Sequence, residues 1–160
     1  MISTLDHLII AVKDLDQAVQ NYTKILGTHP VWRGKHESLG TANSIFNFKN
    51  TYLELLTADG DGLGAELVKN SIEENGDGLV GIVFGVNDIS KTVEELKKEG
   101  YAISDPAEGE GSDDTTNKIR KWENLFLPPE LTRGLFSFVI QHHDGELPSH
   151  KEYAKDSINK

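Results

Sequence analysis

Two stretches of the chain carry the same succession of apolar and polar positions. LDHLIIAVKDLDQAVQNYTKILG (5–27) and LVGIVFGVNDISKTVEELKKEGY (79–101) align at an offset of 74 residues, with Leu5 on Leu79, Val12 on Val86, Asp14 on Asp88, Val19 on Val93 and Lys24 on Lys98. Each opens with an apolar strand-like run, passes a short polar turn and settles into a helical period. Leu15, Ala18, Val19, Tyr22, Ile25 and Leu26 form one stripe that Gly27 closes; Ile89, Val93 and Leu96 do the same ahead of Gly100. Asp14 and Asp88 stand where an N-cap belongs, able to accept bonds from the unpaired N–H groups of the first turn.

Three strand-like runs follow each helix. They cover 28–34, 41–48 and 51–56 in the first half, and 101–106, 118–127 and 135–142 in the second. FKNTY makes a tight turn before the third run, with Asn50 expected in the left-handed conformation. Residues 59–78 link the halves through a short helix near 65–74, EGEGSDD reads as a flexible turn, and 149–160 form a polar C-terminal tail. The order strand, helix, three strands, twice over, predicts an α+β fold of two tandem βαβββ modules, at 3–58 and 79–148, within one domain at 1–148. A four-stranded sheet with a helix on its convex face leaves the concave face bare. Two such mixed sheets therefore curl around a shared cavity, and such junctions are favoured ligand sites.

Strand alternation then places individual side chains. Leu8, Ile10 and Val12 make the apolar face that the helix needs, which leaves His7 facing the cavity. On TYLELL, Leu53 and Leu55 point to the helix, while Tyr52, Glu54 and Leu56 point inward. An inward carboxylate is costly to bury without a partner, so Glu54 is the stronger functional candidate of the two. Composition narrows the chemistry further. The absence of cysteine excludes disulfides, thiolate ligands and thiol nucleophiles. A net charge of −10 disfavours nucleic acid and anionic membrane surfaces as partners. MISTLDH lacks the basic n-region and apolar stretch of a signal peptide, no apolar run reaches about 20 residues, and a cytoplasmic location is expected. ADGDGLGAE opens like a calcium loop, but position twelve counted from Asp59 is Asn70, not glutamate.

LDHLIIAVKDLDQAV together with TYLELL resembles the first module of the vicinal oxygen chelate superfamily, which includes glyoxalases, ring-cleaving dioxygenases, epimerases and antibiotic-resistance proteins. GKHESLGTAN (34–43), IRKW (119–122) and FSFVIQHHDG (136–145) are similar to its glyoxalase-like domain branch, so the resemblance spans about residues 3–148. It implies that His7 and Glu54 are ligands of a divalent metal (zinc, nickel, manganese or iron). The second module departs from that pattern. Gly81 falls opposite His7, and aligning LLTADG with IQHHDG sets Val139 opposite Glu54, with Gln141 two residues further on the same face. His36 or Gln141 would have to supply a third ligand. Glu54 could equally be a general base. His36, Thr41, Asn43, Tyr52, Trp122 and Gln141 complete the expected wall against substrate, while His142 and His143 must point to opposite faces. Two functions stay open. One is an enzyme acting on a small oxygenated metabolite by lyase, isomerase or dioxygenase chemistry. The other is a metal-free protein that sequesters a small molecule, as bleomycin-resistance proteins do. Exchange of modules between two chains would make a homodimer with the same sequence pattern.

Overall fold

A computed structural model describes residues 2–148; the tail at 149–160 lies outside the described residues. The first module comprises β1 (Thr4–Ala11), α1 (Leu15–Leu26), β2 (Trp32–His36), β3 (Thr41–Asn47) and β4 (Tyr52–Ala58). After α2 (Leu63–Asn75) the second comprises β5 (Gly78–Gly85), α3 (Ile89–Lys98), β6 (Ala107–Asp113), β7 (Ile119–Phe126), a single turn α4 (Pro129–Thr132) and β8 (Phe136–Asp144). Both N-caps form: Asp14 accepts from Gln17 N and Asp88 from Lys91 N, each at 2.9 Å. Gly27 ends α1 at φ 73°, a left-handed position that costs glycine nothing.

The eight strands close into one barrel in the order β1-β4-β3-β2-β6-β7-β8-β5. The halves meet twice, through β1 beside β5 and β2 beside β6. At the first junction His7 pairs with Val83, Leu8 with Ile82 and Ile9 with Gly81. Leu8 thus faces its own repeat equivalent, so a pseudo-twofold axis passes there. Each module buries its helix on the outside of the barrel. Val12, Leu15, Ala18, Phe46, Leu53 and Leu55 form the first outer core, and Val86, Ile89, Val93, Ile103, Leu125 and Val139 the second. A third cluster, around Ile9, Val83, Phe138 and Ile140, lines the barrel interior.

Three local expectations are corrected. Residues 101–106 are not a strand; the strand is β6, built from the glycine-rich stretch that reads as a turn. Its glycines are needed because the Trp122 indole lies where a side chain on Gly109 would be, and a Cβ on Gly111 would come within 3.1 Å of both His36 and Trp122. The strand at 28–34 begins later, at Trp32, and runs to His36. Asn50 does not turn the hairpin in the left-handed region: among described non-glycine residues only Asn117 and Arg133 have positive φ. Phe48 N still bonds Thr51 O at 2.9 Å, so the tight turn itself is present. No described helix is long and apolar enough to cross a membrane.

Candidate active site

A cavity of about 450 Å³ occupies the barrel, and its polar floor is a connected chain of side chains from the first module. His36 reaches it from β2, Thr41 and Asn43 from β3, Tyr52 and Glu54 from β4, and His7 from β1, with Trp32 packed behind Asn43. Asn43 is the hub. Trp32 Nε1–H donates to Asn43 Oδ1 at 3.2 Å, which fixes the amide's orientation because an indole can only donate. Asn43 Nδ2 then donates to Glu54 Oε1 at 2.6 Å and faces His36 Nε2 at 3.4 Å. His36 Nε2 is therefore the acceptor nitrogen, and Nδ1–H donates to Thr41 Oγ1 at 3.0 Å.

On the other side Glu54 Oε2 stands 3.5 Å from His7 Nε2. Asp6 Oδ1 accepts from His7 Nδ1 at 2.7 Å, and the His142 ring contacts both Asp6 oxygens at 3.2 Å through Nε2. Burial pushes the Asp6 carboxyl up, but hydrogen bonds from His142 and His7, with their charge, hold it well below the usual carboxylate range. Asp6 is thus an anion, and it orients His7 with Nδ1 protonated and Nε2 turned to Glu54. The Tyr52 ring stacks on His7 at a centroid distance of 4.3 Å and 13° between planes, which locks the imidazole in place. Burial lowers the pKa of His36; the charge of Glu54 opposes this, and Arg120 and His7 reinforce it, so the ring is neutral at pH 7. Burial and the charges of Asp6 and Glu54 raise Tyr52 far above its ordinary value against the influence of Arg120, so its phenol stays protonated.

Seven of the eight residues expected at the site line this cavity: His7, His36, Thr41, Asn43, Tyr52, Glu54 and Trp122. His36 is buried at the end of β2 and packs edge-on against Trp122, with centroids 5.6 Å apart. Gln141 is elsewhere. Its Oε1 accepts from Ile89 N at 2.7 Å at the start of α3, because Phe136, Phe138, Ile140 and His142 are the inward residues of β8. The same parity corrects the alignment of the halves. Ile9 pairs with Glu54 and its equivalent Val83 pairs with Phe138, so the counterpart of Glu54 is Phe138, not Val139. Val139 packs under α3. His143 points outward and pairs with Glu123 at 2.7 Å.

Four polar residues of the site, Asp6, Arg120, Asn124 and His142, are not among those the sequence pattern singles out. Asp6 is the extra residue of an irregularity between Leu5 and His7, where pairing steps from Phe84 to Val83. Such a bulge re-aims a side chain that simple alternation sends away. His142 is inward for the reason that Gln141 is not. Arg120 is buried beside three aromatic rings, and it shares Trp122's face of β7, two residues away, a signal that was available.

The donor set does not fit a catalytic metal, which ordinarily takes three protein ligands. His7 Nε2 and Glu54 Oε2 converge, but their counterparts Gly81 and Phe138 carry no donor. Both nitrogens of His36 are engaged, and His142 is turned to Asp6. Among the described residues no three His, Cys, Asp or Glu side chains are grouped to share an ion.

A closed mixed barrel of two βαβββ modules around one cavity is the vicinal oxygen chelate fold. Within it, the model of the glyoxalase-like domain matches residues 5–158, and the chain belongs to that family. A Streptomyces coelicolor methylmalonyl-CoA epimerase variant in complex with 2-nitronate-propionyl-CoA superposes with a TM-score of 0.72 at 23% identity, covering 92% of this chain and 100% of that one. The Mycobacterium tuberculosis methylmalonyl-CoA epimerase gives 0.69 at 20% identity, covering 89% and 90%. A hypothetical protein from Bacillus halodurans gives 0.67 at 20%, covering 89% and 96%. At these identities the likeness is one of fold. No curated protein sequence matches the chain.

Proposed function

We propose that the protein moves a proton on a small oxygenated metabolite held in the barrel, as an isomerase or lyase, with His7 and Glu54 as its acid–base pair. One observation carries the reading: Glu54 Oε2 and His7 Nε2 converge at 3.5 Å on the cavity, while their other atoms are held by Asn43 and Asp6. Glu54 takes the proton from a carbon beside a carbonyl, and the C–H electron pair moves into the carbonyl as an enolate (an enediolate where that carbon bears a hydroxyl). His7, its Nδ1–H held by Asp6, delivers a proton carried on Nε2 to the oxygen that gains charge. Return of the proton to the other face of the carbon, or to its neighbour, completes an isomerisation.

The test is NMR of carbonyl acids and thioesters incubated with the protein in deuterated buffer. Deuterium should enter the carbon beside the carbonyl of at least one compound, and Glu54→Gln should slow this by about 10²- to 10⁴-fold. Sequestration is the second reading, favoured by the apolar wall of Ile9, Phe126, Phe136 and Phe138. It predicts tight binding, no deuterium incorporation, and indifference to Glu54→Gln.

A further inference from the structure

Arg120 and Asn124 stand on the cavity face of β7 with Trp122 between them, and the proton transfer above uses neither. Both are buried, with 7% and 8% of their surface exposed. The guanidinium carbon lies 5.6, 5.7 and 5.9 Å from the Trp32, Tyr52 and Trp122 rings, and Nε donates to Gly145 O at 3.3 Å. Arg120 pairs with no carboxylate among the described residues; the surface cations Arg33, Lys35, Lys97 and Lys121 do. A buried cation without a counter-charge is unfavourable, and the rings offset only part of that cost. Asn124 Oδ1 is a buried acceptor with no hydrogen-bond partner, which is unfavourable for the same reason. A bound molecule that brings an anion to one and a donor to the other satisfies both.

Spacing and surroundings define that molecule further. The two side chains are a four-residue step apart on β7, about 13 Å between Cα atoms, and the Trp122 ring supplies a flat apolar face between them. Tyr52 touches both Arg120 and His7, so an anion on Arg120 sits beside the His7–Glu54 floor. Arg120 is also the sole Lys or Arg among the described residues lining the cavity.

We propose that the ligand is a small hydroxylated carboxylate with a flat apolar body. Its carboxylate sits on Arg120, its body lies against Trp122, and its hydroxyl donates to Asn124 Oδ1. This rests on the reading of the cavity as the ligand site and names the ligand class. The probes are para-hydroxyphenylacetate, phenylacetate and para-hydroxyphenylacetamide, titrated calorimetrically into the purified chain. The hydroxylated carboxylate should bind about ten- to a hundredfold more tightly than its amide, and about two- to tenfold more tightly than phenylacetate. Arg120→Met should erase the first preference and keep the second; Asn124→Leu should do the reverse. Arg120→Lys, which keeps the charge without the planar fork, should retain part of the first. Equal binding of acid and amide by the wild type, or no binding of para-hydroxyphenylacetate at millimolar concentration, overturns the proposal. So does a preference that survives Arg120→Met. Loss of these preferences with deuterium incorporation intact removes the ligand class alone. Preferences without incorporation remove the proton-transfer chemistry alone.

Discussion

The two modules share a backbone and divide the chemistry. Their strands pair in equivalent registers, Ile9 with Glu54 in one and Val83 with Phe138 in the other, and each buries an amphipathic helix capped by an aspartate. Inside the barrel, however, the first module presents His7, Asn43 and Glu54, where the second presents Gly81 and Phe138 at the equivalents of His7 and Glu54. Repetition of the scaffold fixes the outer cores and leaves the inner faces free to differ. A polar floor on one side and aromatic walls on the other make one asymmetric cavity from two similar halves. The second module adds Arg120, Trp122 and Asn124 from β7, where a ligand can meet both halves.

Substitutions at equivalent positions test how far that symmetry goes. Leu55 and Val139 occupy corresponding outer-core positions and are both buried. Leu55→Ala should cost about 2–5 kcal/mol and Val139→Ala about 1–3 kcal/mol by chemical denaturation. Loss from only one of them would show that the two cores are not energetic equivalents. The second-half equivalent of Asn43 is Asn124, which pairs with Ile140 as Asn43 does with Leu56, but Asn124 Oδ1 has no hydrogen-bond partner, so Asn43→Leu acts on the first module's network. It strips hydrogen bonds from buried Glu54, His36 and Trp32 and should cost about 1–3 kcal/mol. An unchanged melting temperature would mean that the floor is not a connected network.

Smaller effects follow from protons and caps. The His36 pKa is depressed in the folded state, so the unfolded chain binds that proton first. Stability should therefore fall as pH drops below about 6.5, with the loss ending once the ring titrates in the folded state. His36→Gln should flatten melting curves across that window. Asp6 is depressed too, and its contribution is present above about pH 4 and lost as pH falls toward its folded value. The two windows are separate, and Asp6→Asn should remove the more acidic one. Asp14→Ala and Asp88→Ala should each cost about 0.5–2 kcal/mol, by similar amounts, since both caps make the same 2.9 Å bond.

What the sequence revealed and what it hid have physical reasons. The helices, their caps and the inward turn of His7, Tyr52 and Glu54 follow from periodicity, because one-sided burial imposes a period on side chains. β6 escaped because its inward positions are glycines, filled by the rings of Trp122 and His36 from other strands. A strand whose packing is supplied by its neighbours has no hydrophobic alternation of its own. Asp6 escaped because a bulge breaks parity, and Gln141 was misplaced because the parity of β8 is set by pairing with β5, not by matching the module ends. Arg120 follows from the inward placement of Trp122 by alternation alone. The connections among these groups depend on long-range pairing that local pattern does not record.

In the proposed function the first module's Asp6–His7–Glu54 chain performs the chemistry with its own side chains. Deuterium incorporation, measured before and after exhaustive treatment with a chelator, tests it most directly. The rate should stay unchanged in the chelated wild type and collapse in Glu54→Gln. A rate that vanishes on chelation and returns with added zinc, nickel, manganese or iron would contradict it.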